Sequence, residues 1–338
     1  MLILSRRAFL GGSLAAAAWG QQPEVSAFDL SLLDDWLTPV ESFFVREHFP
    51  APKVSAHGWK LQLGGAVAAP TEIAYEELVR EPRRALPVTL ECAENPVGGG
   101  LVSHAEWTGV TLDSLLQRAQ PLSEARAVRF EAADGYARSI PLAKARHADT
   151  LVAHGMNDER LPEKHGFPLR AVVPGWYGMD AVKWLQRIEL LTAEEDNPSM
   201  TRDYVRLTRS LVLGVRPAGR VSAMSVKAAF SRPLEGAIVV GRRFTVRGAA
   251  WAGENRVRSV EVSLDGGTSW GPGRLLSEPL PYAWVQWTYD WKLTQPGIHA
   301  LTVRATDDSG RSQPAQRARE RADGYEHDSW QTVRVMVT

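Results

Sequence analysis

The chain has 338 residues, 44% of them apolar, enough to bury one full core and more readily two, which excludes disorder as its general state. Its 39 basic and 39 acidic side chains cancel, which argues against nucleic acid as a partner and requires any anion site to be built locally. A single cysteine, Cys92, rules out an internal disulfide, so this residue packs, reacts as a lone thiol or binds a metal.

The N-terminus reads "MLILSRRAFLGGSLAAAAWG": two arginines, then an apolar and small-residue run from Ala8 to about Trp19, too short for a membrane-spanning helix. It reads as an export signal, and Ser5 to Leu10 is similar to the twin-arginine class, whose passengers are often folded around a cofactor before transport. We assign residues 1–27 to this signal, with cleavage near Val25-Ser26-Ala27, and place the mature protein in the periplasm. "DLSLLDDWLTPV" then predicts a short amphipathic helix that stops at Thr38-Pro39. In "ESFFVREHFPAP" an extended chain puts Arg46 and His48 on one side. "GWKLQLGGAV" predicts a strand and turn, "AYEELVRE" a short helix, and "LPVTLEC" a buried strand that delivers Cys92 at its end, just ahead of "AENPVGGG". "TLDSLLQRA" is helical; "AVRFEAADGY", "LVAHGMN" and "PLRAVVPGWYG" are strands running into turns. Beyond about residue 205 the texture changes to alternating runs such as "RRFTVRGAAWA" and "RVRSVEVSLDGG", split by Gly, Asn and Asp, the pattern of an all-β sandwich. The boundary falls between Arg202 and Pro217, giving domains 28–205 and 206–338, and the charged "AQRARERADG" reads as a solvated loop.

Three donors in the first domain, His165 and Arg170 in "HGFPLR" and Lys183 in "DAVKWL", suit phosphate, sulfate or another oxyanion; surface salt bridges are the plain alternative. His48 by itself reads more readily as a surface or hydrogen-bonded loop residue than as a cofactor contact. No C-x-x-C, C-x-x-C-H or H-E-x-x-H spacing is present. One thiolate can still ligate a soft or high-valent metal when a cofactor supplies the other ligands. A catalytic thiol would need a nearby base, and a buried inert cysteine needs nothing further.

The chain resembles the sulfite oxidase family of molybdopterin enzymes from about Phe43 to Trp330. The resemblance rests on "FFVREHFPAP", "TLECAEN", "EWTGVTLDSLL", "DGYARSIPL" and "HGFPLRAVVPGWYGMDAVKWL", then on "AWAGENRVRSVEVSLDGGTSW", "WVQWTYDW", "RATDDSGRSQP" and "GYEHDSW". It implies an α+β molybdopterin-binding domain followed by an immunoglobulin-like sandwich that forms a homodimer, with Trp251, Trp284, Trp287 and Trp291 divided between core and interface. It implies molybdenum on the Cys92 thiolate and the pterin and its phosphate held by Arg46, His48, His165, Arg170 and Lys183. The glycines after Cys92 would let backbone approach the pterin. Tyr136 is the active-site tyrosine of the resemblance, and Arg138, two residues on, is a second candidate for meeting a substrate anion. The implied activity is oxidation of sulfite or a related small sulfur compound, with electrons passed to an external cytochrome or haem subunit. A reductase of an oxidised sulfur or nitrogen compound, and a cofactor-less interaction protein, are the alternatives. Two departures bear on substrate. Many sulfite-oxidising members follow the cysteine with Ala-Gly-Asn and an anion-binding Arg, where this chain has Ala93-Glu94-Asn95-Pro96, and Glu47 stands where the family shows Asn. The expectation is weak sulfite oxidation, with Arg138 compensating.

Overall fold

The computed structural model describes residues 22–195, 198–210 and 212–338. Alternation builds the first half: Lys60–Gly65 buries Leu61 and Leu63 and leaves Lys60 and Gln62 to solvent. This strand lies between Thr71–Ala74 and Leu185–Leu191, and the sheet continues through Ala127–Ala132 to Ala137–Pro141; only the Lys60–Gly65 and Leu185–Leu191 pair is parallel. The helix Leu112–Ala119 closes this core with Leu112, Leu115, Leu116 and Ala119, the spacing of one helical face.

A second, antiparallel sheet runs from Arg84–Glu91 through Val102–Thr111 to Leu151–Met156, which also pairs with Glu159–Arg160 and Arg170–Val172. The Arg84–Glu91 strand ends in four buried residues, Val88 to Glu91, and hands Cys92 to a core of Phe43, Leu90, Trp107 and Val172.

A hairpin, Val205–Ser210 with Gly214–Arg220, leads out of this domain. The remainder is an all-β sandwich. One sheet holds Lys227–Arg232, Arg243–Trp251, Val285–Lys292 and Arg274–Leu275; the other holds Ile238–Val239, Gln331–Val337, Gly297–Asp307, Val257–Ser263 and Gly271–Pro272. Phe230, Val246, Val260, Trp287, Val303 and Val335 fill the space between. On the outer face of the second sheet, Ile238, Met336 and Ile298 stand side by side on three adjacent strands and are 70%, 38% and 72% exposed.

The two halves share a core of Phe28, Leu33, Val102, Tyr177, Met224, Trp251 and Trp284. Trp36 and Trp284 bond reciprocally across it, each indole N–H donating to the other's carbonyl at 3.1 and 2.8 Å. Two expectations are corrected here. The helix expected before Thr38 is a single 3-10 turn, Leu30–Leu32, because Phe28 N–H and Thr38 N–H are committed to the carbonyls of Gly100 and His104. Trp251, Trp284, Trp287 and Trp291 are all buried, so none is offered to an interface. The charged loop is exposed over most of its length, as expected, and is tied down where Arg317 and Arg321 meet the Asp323 carboxylate at 2.7 and 2.8 Å. Most of the expected export signal lies outside the described residues; Val25–Ser26 already pairs with Val45–Arg46.

Candidate active site

A cleft of about 720 Å³ opens where the loop Phe43–His48, the end of the Arg84–Glu91 strand and the segments around His165 and Met179 meet. Cys92 lies in its wall, buried, its thiol pushed up to about 11 by that burial. Its position is set by backbone: Cys92 N–H donates to Leu101 C=O at 2.9 Å, and Asn95 N–H to Cys92 C=O at 2.9 Å, which turns the chain back on itself. The three glycines that follow were expected to clear space for a pterin. They lie outside the cleft lining and are packed by the protein itself: a Cβ on Gly98 would strike Gln331, one on Gly99 Asn95 and Pro96, and one on Gly100 the Phe28 carbonyl.

The short strand Val45–Arg46 sends Arg46 and His48 into the cleft. Arg46 donates to the Glu47 carbonyl at 2.6 Å and to Glu94 Oε2 at 3.2 Å, so its charge is partly met by the residue two beyond Cys92. His48 is sandwiched: its ring stacks on Tyr136 at 4.4 Å, and its Nε2 is hydrogen-bonded to the Tyr204 hydroxyl. Burial, reinforced by Arg46, Arg138 and Lys183, lowers His48 to about 4, so the imidazole is neutral. The Tyr136 hydroxyl donates to the Met179 carbonyl at 3.1 Å, and burial raises it well above the ordinary phenol range.

The second cluster lines the same cleft. Arg170 is buried, and its guanidinium donates to the carbonyls of His165 and Ala181, both at 2.9 Å, and lies 4.6 Å over the Trp107 ring. Among the described residues it has no carboxylate partner, and burial lowers it to about 9. His165, buried, reaches the Val40 carbonyl at 3.2 Å and is lowered to about 4 by burial, with Arg170 adding to the effect. Lys183 donates to the Lys164 carbonyl at 3.0 Å and stands 3.5 Å from Glu47 Oε1, a buried oxygen without a hydrogen bond of its own; burial brings this lysine down to about 8.

Arg138 is placed elsewhere. It is buried, it donates from Nε to Asp180 Oδ1 at 3.0 Å, and it sits 5.4 Å over the Tyr204 ring without lining the cleft. A half-buried cation near Cys92 is Arg46. Tyr204, which the sequence analysis missed, lines the cleft between His48 and Tyr325 in a left-handed backbone conformation, φ 55°. No local pattern marks such a residue.

These groups suit a large anionic cofactor. A buried guanidinium held only by carbonyls keeps charge and donor capacity for a phosphate, and two neutral histidines with a depressed lysine lie close by. Among the described residues no set of three His, Cys, Asp or Glu side chains is placed to hold a metal ion, so a metal on Cys92 would take its other ligands from the cofactor.

Comparison with known proteins agrees. Residues 48–199 match the oxidoreductase molybdopterin binding domain, and residues 219–338 match the Mo-co oxidoreductase dimerisation domain. Sulfite oxidase of Gallus gallus is 33% identical over 317 residues, covering 84% of this chain and 69% of that one. The mitochondrial sulfite oxidase of Homo sapiens is 34% identical over 319 residues, with 84% of this chain covered; the chain spans only 58% of the length of that relative. Among solved structures, the sulfane dehydrogenase SoxCD from Paracoccus pantotrophus superposes with a TM-score of 0.81 and 26% identity over 96% of this chain and 92% of the other.

Proposed function

The chain belongs to the molybdopterin oxidoreductases of the sulfite oxidase and SoxCD-like type, and from that premise we propose that it oxidises sulfite or a related small sulfur compound in the periplasm and passes the electrons to an external cytochrome. The observation that carries the reading is that Arg170, a buried cation without a carboxylate partner among the described residues, lines the same cleft as Cys92, the one thiol of the chain. Arg170, His165 and Lys183 would hold the phosphate, and Cys92 would ligate molybdenum. When bound, the cofactor supplies two-electron oxygen-atom transfer.

The chain's own residues then bind and orient the substrate. Arg46, at the Cys92 end of the cation set, meets the anion, in place of the Arg138 of the sequence reading. The Tyr204 hydroxyl donates to Nε2 of the neutral His48, and the stacked Tyr136 fixes the imidazole plane. Tyr136 is partly buried, and the desolvation that raises its phenol well above the ordinary range keeps it protonated at physiological pH, donating to the Met179 carbonyl. Glu94, 3.2 Å from Arg46, draws on the same cation and weakens its hold on a dianion, which favours a substrate of lower charge or a high KM for sulfite. Dimerisation through the sandwich fits the exposed apolar row of Ile238, Met336 and Ile298.

The test is purified protein analysed for molybdenum and examined for the molybdenum spin signal on addition of sulfite, beside Cys92→Ser. We expect the variant to fold and to lose both turnover and the signal; turnover equal to wild type would end the assignment of Cys92.

A further inference from the structure

Lys227 and Trp251 are directly opposed on neighbouring strands of the C-terminal sandwich, and both reach across the domain seam to one carboxylate. That carboxylate is Glu91, the residue before Cys92. Lys227 Nζ donates to its Oε1 at 2.7 Å, Trp251 Nε1 to its Oε2 at 2.9 Å, and Asn95 Nδ2 to Oε1 at 2.9 Å. Glu91 has no exposed surface, and the Lys227 side chain is 5% exposed. Asn95 passes the restraint on: its Oδ1 accepts from Leu101 N–H at 3.0 Å, and Leu101 C=O accepts from Cys92 N–H at 2.9 Å.

A buried ion pair is a poor device for stability, because desolvating both charges consumes most of what their attraction returns; apolar residues of the same shape do as well or better. What three donors converging on one carboxylate provide is position. Resting on the assignment of Cys92 as the metal ligand, we propose that Glu91, clamped from the sandwich by Lys227 and Trp251, is the positioning residue for Cys92, and that the C-terminal domain thereby sets the geometry of the metal ligand as well as the assembly.

Because Cys92 is the chain's only thiol, its labelling by a thiol reagent in cofactor-free protein reads the loop directly. Trp251→Phe keeps the buried ring and the ion pair and removes one N–H, and Glu91→Gln/Lys227→Met removes both charges together. Each should speed labelling about tenfold, the scale of one lost buried hydrogen bond, with the unfolding temperature little changed in Trp251→Phe. The control is Trp284→Phe, which removes another hydrogen bond across the same seam, to the Trp36 carbonyl, and none of the three bonds to Glu91; its labelling should stay within about twofold of wild type. In loaded protein the molybdenum spin signal should shift in the first two variants and not in the control. Unchanged labelling in Trp251→Phe, or equal acceleration in Trp284→Phe, overturns the clamp; if the double variant does not fold, Trp251→Phe decides. A protein without molybdenum would defeat the ligand assignment, whereas the labelling comparison would still decide whether the sandwich positions the loop.

Discussion

Glu94→Gln isolates the electrostatic cost that this chain places beside its substrate cation. The Arg46 and Glu94 side chains are 29% and 41% exposed, so solvent screens their interaction, and pairs of this kind contribute about 0.2–1 kcal/mol per unit charge. A doubly charged anion held by Arg46 feels the carboxylate twice, so neutralising it should stabilise the bound state by about 0.4–2 kcal/mol, or about 2- to 30-fold in KM. Glutamine keeps the size of the side chain, and the fold should be unaffected. The assay is steady-state sulfite oxidation with a cytochrome acceptor at low salt and at about 1 M, where a screening length of about 3 Å should remove most of the difference. We expect KM to fall with kcat within about twofold, since the charge acts on binding and not on the chemical step. A KM unchanged at low salt, or lowered equally at high salt, would refute the assignment of Arg46 as the anion contact.

Arg170→Met should lower cofactor occupancy, measured by mass spectrometry and metal analysis, while leaving the cofactor-free protein as stable as before or more so, because a buried cation with only carbonyl partners is replaced by an apolar chain. His48 and His165 bind protons at about 6.5 when unfolded and at about 4 when folded. The unfolded state takes up more protons in that window, so stability should fall as pH drops from about 6.5 toward 4, and a His48→Gln/His165→Gln double variant should show a flatter profile of thermal unfolding against pH. Ile298→Lys, which puts a charge in the exposed apolar row, should give a monomer mass by light scattering at micromolar protein where wild type gives a dimer.

The sandwich was legible because its strands alternate between Gly and Asp turns, and the strand before Cys92 because Val88, Leu90 and Cys92 recur with period two. The 29–40 segment misled, since its apolar spacing is helical whereas its backbone donors belong to neighbouring strands, a tertiary fact. In the site, the resemblance named Arg46, His48, Cys92, Tyr136, His165, Arg170 and Lys183, and the structure gathers all of them on one cleft. Arg138 went astray for a local reason: Tyr136 belongs to the turn before the strand Ala137–Pro141, so counting by twos from Tyr136 to Arg138 crosses a change of backbone and puts the two side chains in different places. Tyr204 belongs to no periodic element and reaches the cleft only because the chain turns left-handed between the two domains.

The reciprocal Trp36 and Trp284 bonds limit how this protein can be recombined. A chimera that joined residues 22–205 to the sandwich of a relative without a tryptophan at the place of Trp284 would keep a backbone carbonyl for the Trp36 indole but leave the Trp36 carbonyl without its indole donor, a cost of about 1–3 kcal/mol where that group stays unmet. A single crossover in the hairpin Val205–Ser210 and Gly214–Arg220 takes Trp36 from one parent and Trp284 from the other, so it serves for engineering only where the second parent also carries a tryptophan at the place of Trp284.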